Sequence, residues 1–220
     1  MILDKKLVLR RTRAYAKRKL CGEHTGHDWF HTDRVLGLAR RIASGEGGSA
    51  DLFIVELAAL LHDVDDWKFS KDELAGARNA GKILKEQHVP ERDIERVCGI
   101  IENISFKGAR TKAKRLSLEG RIVQDADRLD AMGAIGIARA FAYGGMMRRQ
   151  IYDPKIRPRM HKSAGSCKNA RGTTINHFYE KLLLLKDRMN TRTGKRMAKA
   201  RHAKLERFVK EFKEEWIGKD

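Results

Sequence analysis

"LFIVELAALLHDVDDW" (Leu52–Trp67) is an apolar run that ends in one histidine and three aspartates. The apolar residues recur with the period of a helix rather than of a strand. Burying an imidazole beside carboxylates costs free energy unless a partner compensates. The stretch therefore predicts a helix that carries His62 and Asp63 to a polar pocket at its end, with a buried stripe of Phe53, Ile54, Leu57, Ala58, Leu60 and Leu61.

The rest of the chain has the same helical period, and no segment longer than a few residues alternates as a strand does. We therefore predict an all-α fold. In the region of residues 117–143, Val123, Ala126, Leu129 and Ile135 are expected to be buried. The predicted helices cover roughly residues 3–20, 27–44, 50–64, 72–87, 91–104, 117–143, 174–190 and 193–217.

Composition narrows the class of protein. The chain has 220 residues, which suits a single domain over 1–220, and a net charge of +18, which favours anionic partners such as nucleotides. Three widely spaced cysteines imply no disulfide framework. Its N-terminus does not resemble a signal peptide, and its longest apolar runs are too short to cross a membrane. We expect a cytoplasmic protein that does not associate with membranes.

One long segment, residues 144–173, has no clear period and is rich in Arg and Lys. Loops of this length inside a domain are usually functional or disordered. We expect a core over about residues 24–143 that contains the polar pocket. The basic loop (residues 144–173) would follow it, and C-terminal helices over about residues 174–217 would complete the domain.

Imidazoles and carboxylates recur at helical positions, and a divalent cation would account for them. His31, His62, Asp63 and the pair Asp127 and Asp130 all lie on predicted helices. Mixed histidine and carboxylate ligands suit first-row ions, and an open coordination position can activate water. Simpler interpretations remain for each part: His62 could be a core histidine, "DADRLD" a charged helix face, and His27 a surface residue.

The order of four residues along the chain resembles the H…HD…D signature of the HD-domain metal-dependent phosphohydrolases. These residues are His31, then His62-Asp63, then Asp127. The resemblance extends from about His27 to the C-terminal helix. Within the family, the chain is similar to the small stand-alone hydrolases of bacteria and archaea. Five motifs carry it: "HDWFHTDRV", "AALLHDVDDWKF", "IIENISFKG", "LEGRIVQDADRLDAMGAIGIARAFAYGG" and "TTINHFYEKLLLLKDRMNT".

This resemblance implies an HD-domain helical bundle whose metal ligands are His31, His62, Asp63 and Asp127. One divalent ion is implied, with Mn²⁺, Fe²⁺ or Ni²⁺ favoured and Mg²⁺ or Zn²⁺ as alternatives. Asp66 matches an acid that related hydrolases carry, and it becomes the candidate for proton transfer or for orienting water. Asp130 would then have a structural role.

The predicted activity is hydrolysis of a phosphate ester or anhydride, with a nucleotide as the expected substrate and the basic loop closing over it. Candidate phosphate contacts are Arg34, Lys68, Ser105, Lys107 and Lys181. The alternative is a nucleic-acid-binding protein whose pocket is vestigial or regulatory. The net charge and the segment "TRTGKRMAKARHAK" favour that alternative. Aromatic residues, at 7%, do not alternate with the basic ones as a base-stacking surface would require.

Overall fold

The computed structural model describes residues 3–23, 26–64, 74–104, 115–159 and 172–219. Within these ranges the regular structure is entirely helical, and the prediction of an all-α fold is confirmed. Two 3-10 helices, Leu182–Leu184 and Lys186–Arg188, accompany the α-helices. The α-helices are α1 Lys5–Leu20, α2 Trp29–Gly45, α3 Leu52–Leu61, α4 Ala75–Glu86, α5 Glu91–Ile104, α6 Leu118–Asp130, α7 Gly133–Met146, α8 Thr174–Glu180 and α9 Arg192–Trp216.

The described helices form two compact units. The first contains α1 to α5 and the part of α6 that ends at Ala126, and the second starts at Asp127 and contains α7 to α9. The expectation of one domain over residues 1–220 stays a prediction.

In the first unit, α3 is the central helix, and α1, α2 and α5 pack around it. Every residue from Phe53 to Leu61 is buried, which is more than the single stripe that the sequence predicts. A helix that is apolar on all sides is stable only inside a core. Its one charged residue, Glu56, accepts a 2.6 Å hydrogen bond from Arg40 on α2.

An ion-pair cluster ties the start of α6 to α5 within the same unit. The Arg96 guanidinium lies 2.9 Å from an Asp51 oxygen and 3.3 Å from Oε1 of Glu119, and the Asp51 N–H also donates to Glu119. Burial alone would raise the pKa of Glu119. Hydrogen bonds from backbone N–H groups and from Ser117, together with the Arg96 charge, bring that pKa below its usual value.

Because the folded-state pKa is lowered, ionised Glu119 stabilises the fold above its unfolded pKa of about 4.3, and this contribution disappears as the pH falls through the folded pKa. We expect Glu119→Gln to lower the free energy of unfolding at pH 7 by roughly 1–3 kcal/mol. The difference from wild type should shrink as the pH falls through the lowered folded-state pKa of Glu119, and it should vanish once the folded carboxyl is protonated. Urea unfolding followed by circular dichroism at several pH values measures this. Glu95→Gln, at an exposed position of α5, is the control, and equal losses at all pH values would contradict the prediction.

The prediction of a single helix over residues 117–143 is wrong, because the chain forms two helices there, α6 and α7. Met132 leaves the helical region with φ −120° and ψ 162°, and Gly133 follows with φ +70°. A positive φ suits glycine, and an added Cβ would also approach the Arg201 side chain to 3.3 Å. The restart changes which face is buried, so Ile135, predicted to be buried, is 44% exposed.

In the second unit, an aromatic cluster joins α7, α8 and α9. The Phe178 ring is fully buried, 5.4 Å from the Phe208 ring and 6.1 Å from the Phe141 ring. The helix predicted over residues 174–190 is also wrong in extent. At Lys181, φ −141° and ψ −60° end α8, and the two 3-10 helices continue the chain to Arg188.

The basic loop is described over residues 144–159 and 172–173. Its first three residues belong to α7. The connection beyond α7 is hydrogen-bonded to the segment around α8: Thr174 N–H donates to Gln150 O at 2.9 Å, and Arg159 N–H donates to Glu180 at 2.9 Å. The part of the loop up to Arg159 is therefore held against the segment around α8 within the second unit, whereas residues 160–171 lie outside the described residues.

Candidate metal centre

His31 is placed by the start of α2. Asp28 caps this helix, and its carboxylate accepts a 2.8 Å hydrogen bond from the His31 N–H. The cap satisfies a backbone N–H of the first turn and starts the helix at Trp29, two residues later than the sequence predicts. His31 therefore lies in the first turn of α2, with its side chain 0% exposed.

His62 and Asp63 follow directly after α3. Both are buried, because α3 carries them to the end of the apolar core of the first unit. The His62 Nδ1 atom lies 2.9 Å from the carbonyl oxygen of Ala59, one turn earlier. A carbonyl oxygen can only accept, so Nδ1 carries the proton, and in the neutral ring Nε2 presents a lone pair.

These three side chains converge. The Nε2 atoms of His31 and His62 are 3.2 Å apart, and Oδ2 of Asp63 lies 3.2 Å from the first and 3.6 Å from the second. One ligand atom from each residue lies within 4.8 Å of the others. Two imidazole nitrogens and a carboxylate oxygen at these distances form a group that could hold a metal ion.

The donor set fits a divalent cation. Neutral imidazole and carboxylate are ligands of borderline first-row ions. The hydrogen bond to Ala59 O fixes the tautomer in which the His62 Nε2 atom can coordinate, which is the usual outer-shell arrangement of metal-binding histidines. A cation would also compensate for burying the Asp63 carboxylate, and this resolves the free-energy problem of the His62-Asp63 pair.

Asp127, the fourth predicted ligand, lies on α6 and is half-buried. It belongs to the second unit, and its role as a ligand stays a prediction. Asp130, one turn later, is 1% exposed and forms a 3.2 Å ion pair with Arg139. The role of Asp130, as an acid beside the metal ligands or as a structural acid, stays a prediction.

The remaining predicted residues fall into two groups. Arg34 on α2 and Lys181 at the end of α8 are both half-buried, and their phosphate contacts stay predictions. The other predicted residues lie outside the described residues: Asp66, Lys68, Ser105 and Lys107.

Sequence reasoning treated His27 as a surface residue, but the structure places its ring beside the cluster. His27 precedes α2, is half-buried, and meets the His31 ring edge-on with 5.9 Å between centroids. The spacing of four residues between the two histidines was the available signal.

Among the described residues, no helix is both long enough and apolar enough to cross a bilayer.

Comparison with known proteins places the cluster in context. The HD domain family model matches residues 29–132, a range that includes His31, His62, Asp63 and Asp127. The uncharacterized protein YpgQ of Bacillus subtilis is 40% identical over 209 residues, which cover 94% of this chain and 93% of YpgQ.

Three solved structures are also similar to this protein over nearly the whole chain. A protein from Lactobacillus plantarum is 43% identical with a TM-score of 0.88, and 99% of each chain is covered. An HD-superfamily hydrolase from Bacillus thuringiensis is 42% identical with a TM-score of 0.74, covering 98% of this chain and all of that one. YpgQ in complex with ADP is 35% identical with a TM-score of 0.74, covering 96% of this chain and all of that one.

Proposed function

Because this chain belongs to the HD superfamily of metal-dependent phosphohydrolases, we propose that it hydrolyses a phosphate ester or anhydride bond of a nucleotide. The observation that carries the proposal is the buried convergence of His31, His62 and Asp63. A bound divalent ion would supply Lewis-acid chemistry there, polarising phosphate oxygens and lowering the pKa of water.

The residues have separate roles in this proposal. His31, His62, Asp63 and Asp127 hold one divalent ion, with Mn²⁺, Fe²⁺ or Ni²⁺ favoured over Zn²⁺ because the ligands do not form a closed thiolate site. Asp66 transfers a proton or orients the attacking water. The cationic and hydroxyl groups that position phosphate oxygens are Arg34, Lys68, Ser105, Lys107 and Lys181.

Two observations support a nucleotide as the substrate. YpgQ, a relative that covers nearly the whole chain, has been solved with ADP bound. The net charge of +18 favours polyanionic ligands, and the basic loop adds Arg and Lys residues that could neutralise a polyphosphate. Neither observation selects between release of phosphate and release of pyrophosphate.

A substrate panel tests the proposal. The purified chain, loaded with Mn²⁺, is incubated with nucleoside mono-, di- and triphosphates, and the products are separated by anion-exchange chromatography. We expect hydrolysis of at least one class, abolished by EDTA and restored by Mn²⁺. Pyrophosphate release from triphosphates would identify a pyrophosphohydrolase, and phosphate release would identify a phosphatase. Absence of hydrolysis with every nucleotide and every favoured metal would contradict the proposal.

The alternative of nucleic-acid binding has one specific observation in its favour. Helix α1 carries eight Lys and Arg residues and no acidic residue, and all eight are exposed. A basic helix face can follow a phosphate backbone, and its affinity would fall steeply with salt concentration. If the panel shows no hydrolysis while the chain binds oligonucleotides with a steep salt dependence, the alternative becomes the better description.

A further inference from the structure

The second unit contains a separate polar pocket, between α9 and the 3-10 helix Lys186–Arg188. Its volume is about 580 Å³, within the range of sites that hold small molecules. None of the residues that line it belongs to the proposed metal centre or to the candidate phosphate contacts. They are Lys186, Asp187, Lys195, Lys199, His202 and Glu206.

Helical spacing and tertiary packing together form this pocket. Lys195, Lys199, His202 and Glu206 are separated by four, three and four residues, so they share one face of α9. The 3-10 helix packs against α9 and brings Lys186 and Asp187 to the same pocket. The 3-10 helix and α9, which follow each other closely in the sequence, thus line one cavity.

The pocket is lined by three lysines and two carboxylates, Asp187 and Glu206, so its formal charge is weakly positive. Among the residues that the structure describes, neither Lys186 nor Lys195 nor Lys199 forms an ion pair with a carboxylate. An anion bound beside the three ammonium groups would be attracted to each of them. Phosphate oxygens are suitable partners, since ammonium–phosphate hydrogen bonds are charge-assisted.

His202 forms a buried part of the pocket wall. The residue is 7% exposed, and its Nε2 atom lies 3.1 Å from Oε1 of Glu206. Its Nδ1 atom is buried and has no hydrogen-bond partner within the described part of the chain.

We propose that this pocket binds a phosphate group of a small phosphorylated ligand, and that it does so independently of the metal centre. Lys186, Lys195 and Lys199 contact the phosphate oxygens. Asp187 and Glu206 accept hydrogen bonds from ligand hydroxyl groups, which a nucleotide carries on its ribose and inorganic pyrophosphate does not. The pocket volume accommodates either ligand.

Calorimetric titration of the full-length chain tests the proposal, with pyrophosphate and ADP as separate probes and EDTA present to remove metal. We expect Lys195→Gln/Lys199→Gln to weaken binding of at least one probe by about ten- to a hundredfold, since two charge-assisted contacts are lost. The matched control is Lys204→Gln/Arg207→Gln. It changes the charge equally at exposed positions of the same helix outside the pocket, and it should bind as wild type does.

Each outcome decides part of the question. Lysine-dependent binding of both probes identifies the phosphate group as the recognised element, and lysine-dependent binding of ADP alone identifies a nucleotide site. His62→Ala should keep this binding, and its loss there would overturn the independence from the metal centre. No binding by wild type, or equal losses in the pocket and control variants, would overturn the proposal whatever the result of the substrate panel.

Discussion

Replacing Asp63 with alanine is expected to reduce metal-dependent hydrolysis by about a thousandfold or more, because it removes an oxygen ligand from the proposed centre. Oδ2 of Asp63 lies within 3.6 Å of the Nε2 atoms of both His31 and His62, so no other change of one residue removes as much negative charge from this cluster. Bound metal, measured by inductively coupled plasma mass spectrometry, should fall in parallel with activity.

Asp63→Asn extends the test, since it keeps the size of the side chain while removing the charge. If circular dichroism shows that Asp63→Asn is folded while its metal content has fallen, the loss of metal is due to the lost ligand and not to unfolding. Asp33→Ala is the control: it removes an exposed carboxylate from α2 that pairs with Arg13 at 2.7 Å, a contact that contributes little to stability. Unchanged metal content in both Asp63 variants would show that the convergence of the three side chains is not a metal centre.

The largest loss of stability is expected from Phe178→Ala. The ring is fully buried between Phe141 and Phe208, and its removal leaves a cavity that rigid helices cannot close. The expected loss is about 3–5 kcal/mol. For a chain of this length that corresponds to a fall in Tm of roughly 10 °C.

Thermal unfolding followed by far-ultraviolet circular dichroism measures the effect of Phe178→Ala. Phe30→Ala is a matched control, because the same substitution is made on a side chain that is 67% exposed. The control should change the free energy of unfolding by no more than about 0.5 kcal/mol. Similar values for the two variants would contradict the aromatic cluster as the core of the second unit.

The sequence by itself was sufficient to predict that the fold is all-α and where most helices of the first unit lie. The helical period from Phe53 to Leu61 predicted a helix with one buried stripe, and the structure confirms the helix but buries all of its sides. The position of His62 and Asp63 followed from the same pattern, because the residues after a buried helix lie at the edge of the core. The family resemblance, which the comparisons support, depended on the order of these motifs.

Helix ends and helix phase were decided by tertiary structure. A continuous helical period ran through residues 117–143, but Gly133 adopts a positive φ beside the Arg201 side chain, and the helix restarts there. Hydrophobic periodicity indicates which residues favour a core. It does not show where a helix is interrupted, because that depends on which side chain from a distant part of the chain approaches the backbone. The exposure of Ile135 follows from that break.

The chemistry of the sites divides in the same way. Residue types and spacing along the chain were enough to nominate His31, His62 and Asp63, because each lies on or directly after a helix whose apolar face is visible in the sequence. The Nδ1 contact of His62 is local, because its partner Ala59 lies one turn earlier, whereas the meeting of Lys186 with Lys195 and Lys199 was decided by tertiary structure. Periodicity assigns a residue to a face of its own helix, but a pocket depends on which other segment packs against that face.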